Sequence, residues 1–173
     1  MCEKAMAIMI GIQGSGKSTF SRELSKLKGL PVYYLDMMNW NPDKTTVEKS
    51  VFRQRLAEAI AQEKWIIDGN YGSTLELRMS ACDTVFFLDY PLETCLSGIM
   101  SRRGKPREDM PWIETEDEED KEFLDFIKNY NINSRPAVIK LLEKYADAEV
   151  LDSNVLVDNE EFYLSSEQKI WTM

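Results

Sequence analysis

The chain contains no histidine, and its three cysteines, Cys2, Cys82 and Cys95, are odd in number with no C-x-x-C pair. The first absence removes the commonest general base and metal ligand. The second argues against a disulfide framework or a zinc cluster. Any catalysis must then rest on carboxylates, Lys, Arg and bound metal, and a cytoplasmic location is expected. No apolar run approaches the ~20 residues that span a bilayer, so no membrane partner is expected. Residues 1–10 are apolar but lack a basic leader and a small-residue cleavage site, and they read as a first strand rather than a signal peptide. Positive charge is also in short supply, with 21 Lys and Arg against 30 Asp and Glu for a formal net charge of −9. Duplex-binding proteins usually present a basic face, so this balance weighs against direct DNA binding.

What is present is the composition of an ordinary globular chain. With 173 residues, 43% hydrophobic and 29% charged, it suits one domain over residues 1–173. Short apolar runs alternate with amphipathic stretches, the pattern of a parallel sheet flanked by helices. Strands are expected at 5–10, 31–35, 65–67, 84–88 and 149–151. Helices are expected at 18–28, 45–62, 73–79, from Pro91 to about 102, and from 134 to about 145. Thr45 and Glu48 form a plausible capping box for the second helix, as do Thr115 and Glu118 for a helix after the 103–116 excursion. Acidic residues at 116–120 complement the positive end of that helix. The tail from about Ser165 has weak periodicity and is expected to be poorly ordered. The fold class that follows is α/β: a P-loop NTPase with a five-stranded parallel sheet in the order 2-3-1-4-5. Helices flank the sheet, a substrate-binding helix lies at about 45–62, and a short helical lid lies at about 103–133.

The decisive motif is Gly11-Ile12-Gln13-Gly14-Ser15-Gly16-Lys17-Ser18, followed by Thr19. The spacing G-x-x-x-x-G-K-[ST] lets backbone N–H groups close around phosphate oxygens at the start of a helix, where unpaired N–H groups and the dipole favour anions. Gly11, Gln13, Gly14, Ser15, Gly16, Lys17, Ser18 and Thr19 are therefore expected to hold ATP. Lys17 would sit on the β- and γ-phosphates and the Ser18 hydroxyl would ligate Mg2+.

The N-K-x-D and D-x-x-G motifs of GTPases are absent, which leaves a small-molecule kinase with a water-excluding lid. Two strands end in carboxylates, Asp68 and Asp89. Asp68 is favoured as the metal-side residue because Asp68-Gly69 resembles the Asp-Gly of nucleoside monophosphate kinases, and Asp89 is read as a turn or capping residue before Pro91. Asp36 ends the second strand and could orient or deprotonate an acceptor hydroxyl. Arg102, Arg103 and Arg135 are candidates for stabilising transferred charge, in company with Lys105 and Arg107. Arg53, Gly69, Asn70 and Arg78 are candidates for the acceptor side. Arg55, Trp40 and Tyr71 are weaker ones, and core packing is the favoured reading of Trp40.

Taken together, Gly-Ser-Gly-Lys-Ser-Thr-Phe, Tyr-Leu-Asp with Trp40 nearby, Trp-Ile-Ile-Asp-Gly-Asn-Tyr and Phe-Leu-Asp-Tyr-Pro resemble the bacterial DNA topology modulation proteins. That family looks like the adenylate kinases. The resemblance covers roughly residues 5–152, and it implies a P-loop kinase fold, nucleotide binding and an influence on DNA supercoiling. Two expectations follow. The chain is a phosphotransferase from ATP to a nucleotide or other small-molecule acceptor, or it is an ATP-dependent regulator of DNA topology with little or no kinase activity.

Overall fold

In a computed structural model of the chain, the described residues are 5–115, 121–145, 150–151 and 168–172. Strand β1 (Ala5–Gly11) leads through the glycine loop into helix α1 (Lys17–Lys28), followed by β2 (Val32–Tyr34), α2 (Leu35–Asn39) and α3 (Lys49–Ile60). Then come β3 (Lys64–Asp68), α4 (Gly72–Met79), β4 (Thr84–Leu88) and α5 (Leu92–Arg102). Helices α6 (Lys121–Lys128), α7 (Tyr130–Asn133) and α8 (Arg135–Tyr145) precede β5 (Val150–Leu151) and β6 (Gln168–Thr172).

The strands β2, β3, β1 and β4 pair in parallel in that order. Both faces of such strands are covered by crossover helices, so they read as nearly continuous apolar runs. In β1, Ile8 and Ile10 point to a core shared with Trp65, Ile67, Phe87 and residues of α3, α4 and α8. Ala7 and Met9 point the other way, onto Phe20 and Leu24 of α1. This two-residue alternation is why one short strand builds two cores.

The expected fifth parallel strand beside β4 is a correction. Strand β6 takes that edge, antiparallel to β4, and β5 pairs with β6 rather than with β4. The parallel sheet therefore has four strands, and the tail segment expected to be poorly ordered supplies the neighbour. Backbone N–H and C=O groups on the edge of β4 need partners, and a weakly patterned segment meets that need as well as a strongly patterned one.

The capping box at Thr45 and Glu48 is also corrected. The Thr45 backbone N–H and hydroxyl both donate to Asp43 Oδ1, at 3.0 and 2.6 Å, in a local turn. Helix α3 starts after Glu48 with no side-chain cap. Glu118, the other proposed cap residue, lies outside the described residues.

Candidate functional site

The loop between β1 and α1 is held in place by close backbone approach. A Cβ on Gly14 would stand 2.0 Å from the Cys95 carbonyl oxygen, and one on Gly98 would stand 2.2 Å from the Gly14 carbonyl oxygen. Only hydrogen at both positions lets α5 lie against the loop. Ile12 anchors the loop from below, packing with Cys95, Ile99, Ile127 and Tyr130. Gly16 adopts φ 88° as the N-cap of α1, so the first N–H groups of that helix border the loop.

Lys17 is drawn into this loop. Its ammonium donates to the carbonyls of Gly11 and Ile12 at 2.9 and 3.0 Å. Burial lowers its pKa, opposed by the neighbouring carboxylates of Asp68 and Asp36. Within the loop, Gln13 Oε1 and Ser15 Oγ are buried without a hydrogen-bond partner among the described residues. Buried polar atoms are rarely left this way unless something else completes them.

Asp68 ends β3 beneath the loop, 5% exposed, and its Oδ2 also lacks a partner among the described residues. Burial raises its pKa to about 6 despite the nearby Lys17 charge. The Ser18 hydroxyl interacts with the same carboxyl. A hard divalent cation takes oxygen ligands from one or two protein groups, with phosphate oxygens and water filling the rest. An orphaned carboxylate oxygen beside a serine hydroxyl fits Mg2+ in that manner. Among the described residues no group of three or more carboxylate, thiol or imidazole side chains forms a metal cage of its own.

Across the cleft, Asp36 sits in the first turn of α2. The Tyr71 hydroxyl donates to its Oδ1 at 2.7 Å. Burial raises the Asp36 pKa, and the Tyr71 bond and Lys17 work against that rise. The Tyr71 hydroxyl in turn interacts with the side chains of Asn39 and Trp40. Trp40 is not in the core, contrary to the favoured reading. Its ring meets Trp112 edge-on, centroids 5.6 Å apart, and both line the cleft. The Trp40↔Thr46 bridge places it there, pinning the turn after α2.

These groups share one cleft of ≈ 1330 Å³, with Lys17, Ser18, Asp36, Asp68, Trp40, Arg102 and Arg103 along its walls. The 103–115 segment lies over it, and its charges are tied together. Glu114 accepts from Arg102 Nε at 2.9 Å and Nη2 at 3.0 Å, and from Arg107 Nη1 at 3.1 Å. Arg107 also donates through Nε and Nη2 to Asp109. Asp109 accepts from the Ser18 hydroxyl at 2.8 Å. Asp109, Glu114 and Trp112 were missed from sequence because acids in an arginine-bearing excursion look like solvated charge.

Four expected site residues turn out to be occupied or remote. Arg78 is 0% exposed, and its guanidinium donates to the carbonyls of Gly69, Asn70 and Tyr71. It shapes the loop instead of meeting an acceptor. Asn70 lines the cleft, but its amide is spent on the backbone of Gly11. Arg53 is exposed on α3 and is not among the cleft-lining residues. Arg135 pairs with both oxygens of Asp89, joining the end of β4 to the start of α8 outside the cleft.

A strand, a glycine loop closed by Lys-Ser and a helix now stand together in a parallel sheet. The chain carries a P-loop in an α/β fold.

No family model and no curated protein matches the chain, and membership of the DNA topology modulation family is not shown. Among solved structures it is similar to a shikimate kinase from Aquifex aeolicus vf5, at 20% identity over 78% of this chain and 82% of that one, TM-score 0.49. It is also similar to a gluconokinase from Sinorhizobium meliloti 1021, at 12% identity over 83% of this chain and 94% of that one, TM-score 0.46. At those values neither decides the fold or the acceptor, which rest on the loop, the sheet order and the cleft. Among the described residues no helix is long and apolar enough to cross a membrane.

Proposed function

We propose that this chain is an ATP- and Mg2+-dependent phosphotransferase that moves the γ-phosphoryl group to a hydroxyl of a small acceptor. One observation carries the reading: Lys17 shares one cleft with Asp68, taken as the metal-side carboxylate, and with Asp36, held by the Tyr71 hydroxyl and taken as the acceptor-side one. A nucleotide switch needs the first half of that arrangement. A transferase needs both.

In this reading the loop from Gly11 to Thr19 holds the triphosphate, with the buried Ser15 hydroxyl free to donate to it. Ser18 and Asp68 would hold Mg2+, which supplies charge neutralisation at the bridging oxygen when bound. Asp36 orients the acceptor hydroxyl and takes its proton as the new O–P bond forms and the β–γ bridge breaks, releasing ADP. Tyr71 fixes the carboxylate for that task. Arg102 and Arg103, at the base of a lid over residues 103–133, meet the charge that spreads over the transferred group.

The acceptor side favours an uncharged ring compound such as a nucleoside or sugar. Arg78 and Arg135 are committed elsewhere, Arg53 stands away from the cleft, and Asp36 and two tryptophans line it together with Arg22 and Lys44. A carboxylate repels an anionic acceptor, while indole faces suit a ring. The test is ADP release from Mg-ATP with matched pairs: nucleosides against their monophosphates, and sugars against sugar phosphates. Turnover with the neutral member of a pair is expected. Turnover only with phosphorylated members would refute the acceptor class. Silence across every pair, together with salt-sensitive duplex binding, would favour the regulatory alternative.

A further inference from the structure

The charges above the phosphate loop are arranged against the arrival of a nucleotide. Ser18 is the hydroxyl expected to meet the metal, yet its proton is donated to Asp109 at 2.8 Å. Asp109 is 4% exposed, so this is no surface contact. The Arg107 guanidinium grips both of its oxygens, and the remaining arm of that guanidinium goes to Glu114. Arg102 is forked onto the same Glu114. Two acids of the 103–115 segment thereby neutralise its Arg107 and the Arg102 that ends α5, and one of them also takes the loop hydroxyl.

We propose that Asp109 is a built-in competitor for the nucleotide, a latch that holds the lid on the phosphate loop. The carboxylate mimics an anionic phosphate oxygen: it sits on Ser18 and satisfies Arg107 as a phosphate would. Nucleotide entry must exchange Asp109 for the incoming anion, which frees Arg107 to follow. The inference rests on the nucleotide-binding reading above, and it adds that the lid is self-inhibited before any acceptor is present.

The physical consequence is quantitative. An intramolecular competitor lowers apparent affinity by the fraction of molecules whose loop is open. If the latch is closed nine times in ten, its removal tightens binding about tenfold. Removing the charge also removes repulsion of the triphosphate in a buried setting, where such repulsion is weakly screened. A residue that helped hold the nucleotide or its metal would give the opposite sign.

The experiment measures the Kd of ATP and ADP by calorimetry on the full chain, without acceptor, with and without Mg2+. The variants are Asp109→Asn, close to the native shape, and Glu114→Gln, which releases Arg102 and one arm of Arg107 without touching Ser18. Both are expected to bind nucleotide about three- to tenfold more tightly, with the larger gain in the absence of Mg2+. Both should also expose the 103–115 segment to limited proteolysis before nucleotide is added. Unchanged or weaker binding in Asp109→Asn would overturn the latch. So would protease resistance equal to that of the native chain in both variants. Native protein that binds no ATP at all would instead remove the nucleotide reading and the latch together.

Discussion

The side-chain amide of Asn70 holds both backbone groups of Gly11, accepting its N–H at 2.9 Å and donating to its carbonyl at 2.6 Å. The β1–β3 ladder runs to Met9↔Asp68, and the Gly69 N–H adds one more bond to the Met9 carbonyl. Asn70 then continues the ladder with a side chain where β3 has already turned away. The root of the phosphate loop is thus tied to the strand that carries Asp68. Asn70→Ala is expected to lose about 1–3 kcal/mol of stability, because the Gly11 N–H loses its side-chain acceptor and the Gly11 carbonyl, which keeps the Lys17 ammonium, loses its second donor. Nucleotide affinity should fall as well. Denaturant unfolding and calorimetry on the same variant check both, and unchanged nucleotide affinity would mean that the clip does not shape the loop.

Lys17→Ala should leave a folded protein, since burial works against the charged lysine and, among the described residues, its ammonium donates to two loop carbonyls. ATP affinity or turnover should drop by at least a hundredfold, as the ammonium supplies charge at the phosphates. Native-like affinity in this variant would remove the foundation of the functional reading.

Asp36→Asn should keep ATP binding and lose about 10²- to 10⁴-fold in transfer, the ordinary contribution of a positioned general base. Tyr71→Phe removes the hydroxyl donor from Asp36 Oδ1 and should give a smaller loss with the same sign. Steady-state kinetics on an identified acceptor separates the two. A loss of ATP affinity in Asp36→Asn would place the carboxylate on the metal side instead.

Asp68 makes the stability of the free protein pH-dependent. Burial raises its folded pKa to about 6, above the ordinary carboxylate range, so the folded state holds the proton more tightly than the unfolded chain. That contribution is fully present below about pH 4 and is lost as pH rises to about 6. By pH 7 the ionised, buried carboxylate costs on the order of 1–3 kcal/mol. Asp68→Asn should therefore be more stable than the native chain at pH 7 and should show a shallower slope between pH 4 and 6. Melting curves across that range test it, and Mg-nucleotide should restore stability to the native chain but not to the variant.

Arg78 and Arg53 separate shape from contact. Arg78→Ala leaves three loop carbonyls and a buried volume unserved, and it should cost about 3–5 kcal/mol. Tyr71, held at φ 29° beside it, would lose the restraint that keeps that strained backbone in place. Arg53→Ala, on an exposed face of α3, should change stability by no more than about 0.5 kcal/mol and leave turnover alone. Thermal melts and acceptor kinetics are sufficient for both.

The local elements were legible because their causes are local. The apolar run at 5–10 marked the first strand, and the Gly-x-x-x-x-Gly-Lys-Ser spacing placed a glycine loop between that strand and a helix. Pro91 marked the start of α5, and Asp36 and Asp68 stood out as candidates because each closes an apolar run. What failed depended on distant partners. Arg78 and Asn70 looked like substrate contacts because exposed-type side chains beside a motif usually are. Only the fold brings three carbonyls to one and Gly11 to the other. The edge of β4 attracted a segment with no strand pattern of its own, since hydrogen bonding there is set by the neighbour's backbone.

By itself, then, the sequence determined the glycine loop, the alternation of strands and helices, and the carboxylate that closes β3; Asp36, expected at the end of the second strand, lies in the first turn of α2 because β2 stops at Tyr34. Glycine geometry and hydrophobic period act over a few residues and need no distant partner. The tertiary structure alone decided which charges are spent and which remain. It committed Arg78, Arg135 and Asn70 to backbone or ion-pair duty, set Tyr71 on Asp36, brought Trp112 to Trp40, and laid Asp109 on Ser18. Such pairings join residues as far apart as 91 positions. They form because a buried polar group must find a partner, and only the closed fold determines which partner is near.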